Sequence, residues 1–130
     1  MSNLITIDDL LGNAEKLEAK AKEIGLHKVK LKKLGKAIEF KKVKYQEWMD
    51  ILDTKDADLD AELVYAACDM LHDGELINSL GCQDNPIGVV RKAFDRQTTH
   101  HLADYILEYS GLKIGDSKSY LEEVTSDIKN

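Results

Sequence analysis

Residues 59–71, LDAELVYAACDML, decide how this chain folds. Leu63, Ala66, Ala67, Met70 and Leu71 recur at helical spacing, and Val64 and Tyr65 widen the apolar face beyond a single stripe. A helix apolar over so much of its circumference needs cover from several neighbours. The segment therefore reads as a core helix over Leu59–Leu71, capped by Asp58 and ended by Gly74.

The flanking stretches supply the cover. Downstream, a short helix over Glu75–Leu80 stops at Gly81. Asn85 followed by Pro86 is a cap followed by the residue favoured in the first helical turn, so a helix starts there, lined by Ile87, Val90 and Phe94. Asp95 or Thr98 opens the last strong helix, whose stripe is Leu102, Tyr105, Ile106 and Tyr109 and which Gly111 closes. Upstream, Tyr45, Trp48, Met49 and Leu52 fall at i, i+3, i+4 and i+7 and predict a helix over Tyr45–Leu52.

Residues 27–43 change period. Val29 and Leu31 alternate with Lys28, Lys30 and Lys32, and Ile38 and Phe40 alternate with Glu39 and Lys41. Period two, repeated around Leu34–Lys36 with its Gly35, predicts a β-hairpin with one apolar and one lysine-rich face. A lone hairpin is marginal in water, so its apolar face must rest on the helices.

The first helix is predicted from Ile7 to Ile24. Thr6 and Asp9 form a capping-box pair, Ile5 and Leu10 stand where a hydrophobic staple would, and Gly25 is a natural stop. Leu10, Ala14, Leu17, Ala21 and Ile24 are spaced four, three, four, three, which is a narrow heptad seam. Two uses stay open: a helix packed on its own domain, and an arm that binds a partner or a second copy.

The whole reads as a mostly α (α+β) single domain over 1–130, with about five or six helices and a small antiparallel hairpin near the N-terminus. Residues 1–25 form the N-terminal helix and candidate arm, 27–43 the basic hairpin, 44–111 the helical core, and 112–130 a polar tail with one weak apolar set, Tyr120, Leu121 and Val124.

Charge is unevenly spread. Eight lysines and one acid between Lys28 and Lys44 give that stretch a net +7, while residues 46–130 carry −11 in a chain whose total is −6. The overall sign disfavours nucleic acid as a default partner. The lysine stretch also lacks arginine and interleaved aromatics, so a small nucleic-acid-binding or regulatory module is the alternative reading, not the first. No apolar run reaches the ~18–20 residues that span a bilayer, so no membrane association is expected. The acidic N-terminus does not read as a signal peptide. Cys68 and Cys82, far apart in sequence, fit free buried thiols in a reducing cytoplasm, with a disulfide between them the open alternative.

Reactive constellations are weak. Cys68, His72, Cys82, His100 and His101 could in principle gather a zinc ion, but there is no Cys-x-x-Cys pair. Asp56, Asp58 and Asp60 resemble the start of a calcium loop without its Gly and closing Glu. There is no G-x-S-x-G, no P-loop and no G-x-G-x-x-G, and the paired carboxylates lie at helix starts, where the helix dipole explains them. No catalytic residue, cofactor or metal is expected.

Several runs taken together carry a resemblance: YQEWMDIL (45–52), DAELVYAACDML (60–71), GELINSLGC (74–82), the Asn85–Pro86 helix start, RKAF (91–94) and the ending EEVTSDIKN (122–130). Their order, spacing and length resemble the XkdN-like tail assembly chaperones of phages and defective prophages of Gram-positive bacteria, from the IDDLL helix to the terminal IKN. The resemblance implies a non-enzymatic protein of the bacterial host cytoplasm, absent from the finished virion. It would bind the tape measure protein, keep it soluble and help tail tube protein assemble around it. The family supplies no binding motif. The partner-binding residues expected on physical grounds are therefore the seam positions Leu10, Leu17 and Ile24 and the lysines Lys30, Lys32 and Lys42, with homo-oligomerisation through the seam a further expectation.

Overall fold

The computed structural model describes residues 4–22, 25–55 and 57–113. At its centre lies the core helix, which is shorter than the pattern predicts. It spans Leu59–Ala67 and buries Ala61, Leu63, Val64 and Ala67. Asp58 caps it as expected, its carboxylate accepting the Ala61 amide at 3.3 Å. At Cys68 the backbone turns extended (φ −107°, ψ 96°), and a 3-10 turn, Asp69–His72, follows.

The break has a physical cause outside the helix. The Ala67 carbonyl accepts the Lys41 amide at 2.9 Å, and the Tyr65 carbonyl meets His72 Nε2 at 2.7 Å. Carbonyls served by these donors do not need the amides one turn further on. The His72 ring also stacks on Tyr65, with centroids 4.1 Å apart. Two expectations are corrected in consequence. Met70, placed on the apolar face by its spacing, is 61% exposed, although Leu71 is buried. Gly74 does not end a helix but opens the next one, Gly74–Ser79, which Asp73 caps by accepting the Leu76 amide at 3.0 Å.

Numbered in chain order, the helices are α1 (Ile7–Ala21), α2 (Tyr45–Leu52), α3 (Leu59–Ala67), α4 (Gly74–Ser79), α5 (Gly88–Ala93) and α6 (Arg96–Tyr109). With the two-stranded antiparallel sheet they make the described fold mostly helical. α3 packs along α6, which buries Thr99, Leu102, Ala103 and Ile106. The buried Thr99 hydroxyl donates to the Asp95 carbonyl at 2.9 Å, so no hydrogen-bonding capacity is stranded there. Asp95, not Thr98, is the cap of α6, and Gly111 beyond it takes φ +72°. α5 begins two residues later than the Asn85–Pro86 signal suggests. Residues 85–87 instead form a tight turn, in which the Asn85 carbonyl accepts the Gly88 amide at 2.9 Å. Its buried residues are Val89 and Val90; Ile87 and Phe94 are only partly covered.

The hairpin forms as its period predicts. β1 (His27–Leu31) pairs with β2 (Lys36–Phe40), with Val29 opposite Ile38 and Leu31 opposite Lys36. The turn Lys32–Gly35 closes on the Leu31 carbonyl, which accepts the Leu34 and Gly35 amides, and Gly35 supplies the positive φ. Leu31, Ile38 and Phe40 are buried. Phe40 meets Tyr105 and Tyr109 edge-on, and His27 stacks on Tyr109 at 4.4 Å, which lays the hairpin across the C-terminal half of α6.

α2 has the predicted bounds, but none of its residues is fully buried and the predicted stripe is only partly used. Trp48 and Ile51 pack against the core, while Tyr45 and Leu52, two members of the expected stripe, are exposed. The Glu47 carboxylate accepts the Lys44 amide at 3.0 Å and satisfies one orphan donor at its start. α1 carries the predicted capping box: Thr6 Oγ1 accepts the Asp9 amide, and Asp9 accepts the Thr6 amide. It ends at Ala21, earlier than expected, and Gly25 follows at φ +63°. The weak tail set Tyr120, Leu121 and Val124 lies outside the described residues.

Candidate interaction surfaces

Among the described residues the seam of α1 stays exposed. Leu10 is 54% and Leu17 59% exposed, and Ile7 and Leu11 beside them are exposed as well. A Thr6 cap, two acids in the first turn and Lys20 in the last stabilise this helix locally. Ile24 lies outside the described residues.

The candidate residues divide between two places. Leu17 and Lys20 of α1 face Lys42, Val43 and Tyr45 across a cleft of about 560 Å³. Val43 is anchored there by its amide, which donates to Ser110 Oγ at 2.9 Å. The Lys42 stem passes close over Gly25, where any Cβ would lie 2.6 Å from it, and its ammonium stands 5.9 Å from the Tyr109 ring centre. Leu17 and Lys42 therefore share one cleft, a proximity that no local pattern could reveal. Lys30 and Lys32 belong elsewhere, to a groove of about 490 Å³ between β1 and α6. Leu10 lines neither.

A third cavity, about 500 Å³, sits where the N-termini of α3 and α6 meet the end of α5. Its carboxylates are engaged. Asp58 accepts Arg91 Nε at 2.8 Å, Asp60 lies 3.0 Å from His100 Nδ1, and Asp95 accepts Lys33 Nζ at 2.7 Å. Burial pushes the Asp58 carboxyl up, but the Ala61 amide and the Arg91 guanidinium outweigh it and hold the group below the ordinary range. Lys33, followed by the Thr98 amide and hydroxyl, brings Asp95 down to about 2. Carboxylates stabilised in the charged form are poor proton donors at neutral pH. The sequence marks Asp58 and Asp60 as helix-start acids and gives Arg91 and Arg96 no role at a site. Asp58 and Asp95 were legible as separate caps, and only the packing of α3 along α6 sets the two helix starts side by side.

The cysteines and histidines are dispersed. Cys68 and Cys82 are buried and free, and burial pushes the Cys68 thiol up to about 12. The one-turn spacing of Cys68 and His72 disappears with the helix break, and His72 and His100 already serve Tyr65 and Asp60. Among the described residues no three His, Cys, Asp or Glu side chains are placed to hold a metal ion. Asp56, the first of the calcium-loop acids, lies outside them. No described helix is long and apolar enough to cross a membrane.

No family model matches this chain, and neither a curated protein nor a solved structure matches it.

Proposed function

We propose that this chain is a tail assembly chaperone of the XkdN-like kind. In this reading it holds the tape measure protein in a soluble form while tail tube subunits polymerise around it, and it does not enter the finished virion. The single observation that carries the proposal is the exposure of the α1 seam among the described residues, where Leu10 and Leu17 are both more than half exposed.

Tape measure proteins are long and helical, with apolar stripes that aggregate when bare. A capped helix with a leucine seam offers such a stripe a matching surface. Covering one leucine fully is worth roughly 1.5–3 kcal/mol, less the cost of association. A short seam therefore binds weakly, and holding power comes from many copies along one client. Weak individual contacts are what an arriving tube subunit can displace. Lys42 and Lys44, beside Leu17 in its cleft, add attraction toward an acidic client and raise the encounter rate.

Co-expression with the tape measure protein tests this. Leu10→Asp together with Leu17→Asp should abolish co-purification while leaving the thermal unfolding midpoint unchanged. Full retention of the client would refute the seam. The rival reading, a nucleic-acid module using Lys30 and Lys32, predicts a salt-dependent gel shift that survives physiological salt; a chaperone predicts none. Gene order is an independent check: a tail tube gene upstream and a tape measure gene downstream are expected.

A further inference from the structure

β1 has an open side. The sheet has two strands, and β2 is β1's neighbour on one side. Just past the end of β2 the backbone is tied into the body through the Lys41 amide on the Ala67 carbonyl. No described strand lies on the other side of β1, so alternate amides and carbonyls of its five residues point away from the sheet.

The face of the hairpin rests on a helix, and a groove beside β1 is shared with that helix. Lys33, just beyond β1, pairs with Asp95 at the start of α6, and His27, its first residue, meets Tyr105 and Tyr109 near the helix end. β1 and α6 thus run antiparallel along each other, and the groove of about 490 Å³ lies between them. Its walls are consecutive residues of β1 and its turn on one side, and one face of α6 (Thr98, His101, Leu102, Tyr105) on the other. Leu31 and Leu102 are buried, and Val29 and Tyr105 are partly open, which gives an apolar floor.

We infer that this groove accepts an extended acidic peptide segment by strand addition to β1. Three features fix the occupant's chemistry. A strand edge supplies main-chain donors and acceptors at a spacing only another extended strand can match. The apolar floor takes side chains from alternate residues of that strand. The rim carries Lys30, Lys32 and His101, and no carboxylate lines the groove among the described residues; Lys33 is already held by Asp95. A second copy of β1 is disfavoured because it would bring Lys28 and Lys30 against the same lysines. The length fits about five residues, roughly 17 Å of strand. This site does not use the α1 seam, so it stands or falls separately from the chaperone reading.

The test uses the full chain, ¹⁵N-labelled, with a capped seven-residue peptide of alternating Glu and Val as probe. Binding should move the amides of residues 28–32 and of 97–105 and leave α1 unmoved. Two N-methylated versions, each blocking one alternate set of peptide amides, should differ, one binding at least tenfold more weakly than the parent. The Lys/Val counterpart should also bind at least tenfold more weakly, and Lys30→Glu with Lys32→Glu should reverse that preference. Shifts confined to other surfaces, equal binding by both N-methylated peptides, or no shift at saturating peptide would overturn the proposal. Groove amides that move with protein concentration in peptide-free solution would assign the groove to a second copy and overturn it too.

Discussion

The amide of Lys41 donates to the carbonyl of Ala67 at 2.9 Å, and this bond fixes where the core helix stops. The donor lies at the exit of β2 and the acceptor at the last residue of α3, so the sheet terminates the helix. Lys41→Pro removes the donor and leaves a buried carbonyl unsatisfied, at a cost of about 1–3 kcal/mol. Lys41→Ala keeps the donor and loses only the exposed pair with Asp69, worth about 0–1 kcal/mol. Urea unfolding of the two variants should separate them in that order.

The break also reassigns Met70. Leu63 is fully buried in α3, and Leu63→Ala should cost about 2–5 kcal/mol. Met70, two turns along on the face read from sequence, should lose no more than ~0.5 kcal/mol as Met70→Ala, because it faces solvent. Comparable losses at both sites would mean an unbroken helix.

Asp95 links acid stability to the joint between hairpin and α6. Its folded pKa of about 2 lies below the ordinary 3.8, so the folded state binds this proton less readily than the unfolded chain does. The contribution is complete above about 3.8 and disappears as pH falls toward about 2. Asp95→Asn still caps α6 through the Thr98 amide but loses the charge pairing with Lys33. The variant should unfold earlier than the parent at pH 5, and the gap should close by pH 2. A gap constant over that range would assign the effect to something other than this carboxylate.

Cys68 should be chemically silent in the folded protein. The thiolate is the reactive form, and a thiol raised to about 12 is almost wholly protonated at pH 8. Cys82 is buried too. Intact-mass measurement after iodoacetamide should show no adduct on the native chain and two adducts in denaturant.

The exposed seam makes a stability prediction apart from any client. Leu10→Asp and Leu17→Asp should each shift stability by no more than ~0.5 kcal/mol, since neither side chain is buried. A shift of 2 kcal/mol or more in calorimetry would mean that α1 packs on the body.

By itself the sequence determined what depends on near neighbours along the chain. The hairpin strands follow from side chains alternating about Gly35, α2 from its apolar repeat, the starts of α1 and α3 from Thr6 and Asp58, and that of α6 to within Asp95 or Thr98, because caps and turns are satisfied within three or four residues. The heptad seam of α1 was equally legible as a pattern. Its exposure was not, because periodicity records which side of a helix is apolar and not what lies against it. Tertiary structure alone decided the rest: the stop at Ala67, the turn of α2 onto Trp48 and Ile51, the cleft lined by both Leu17 and Lys42, and the groove between β1 and α6. Each joins groups far apart in sequence, and their proximity is set by how the hairpin and helices share one core.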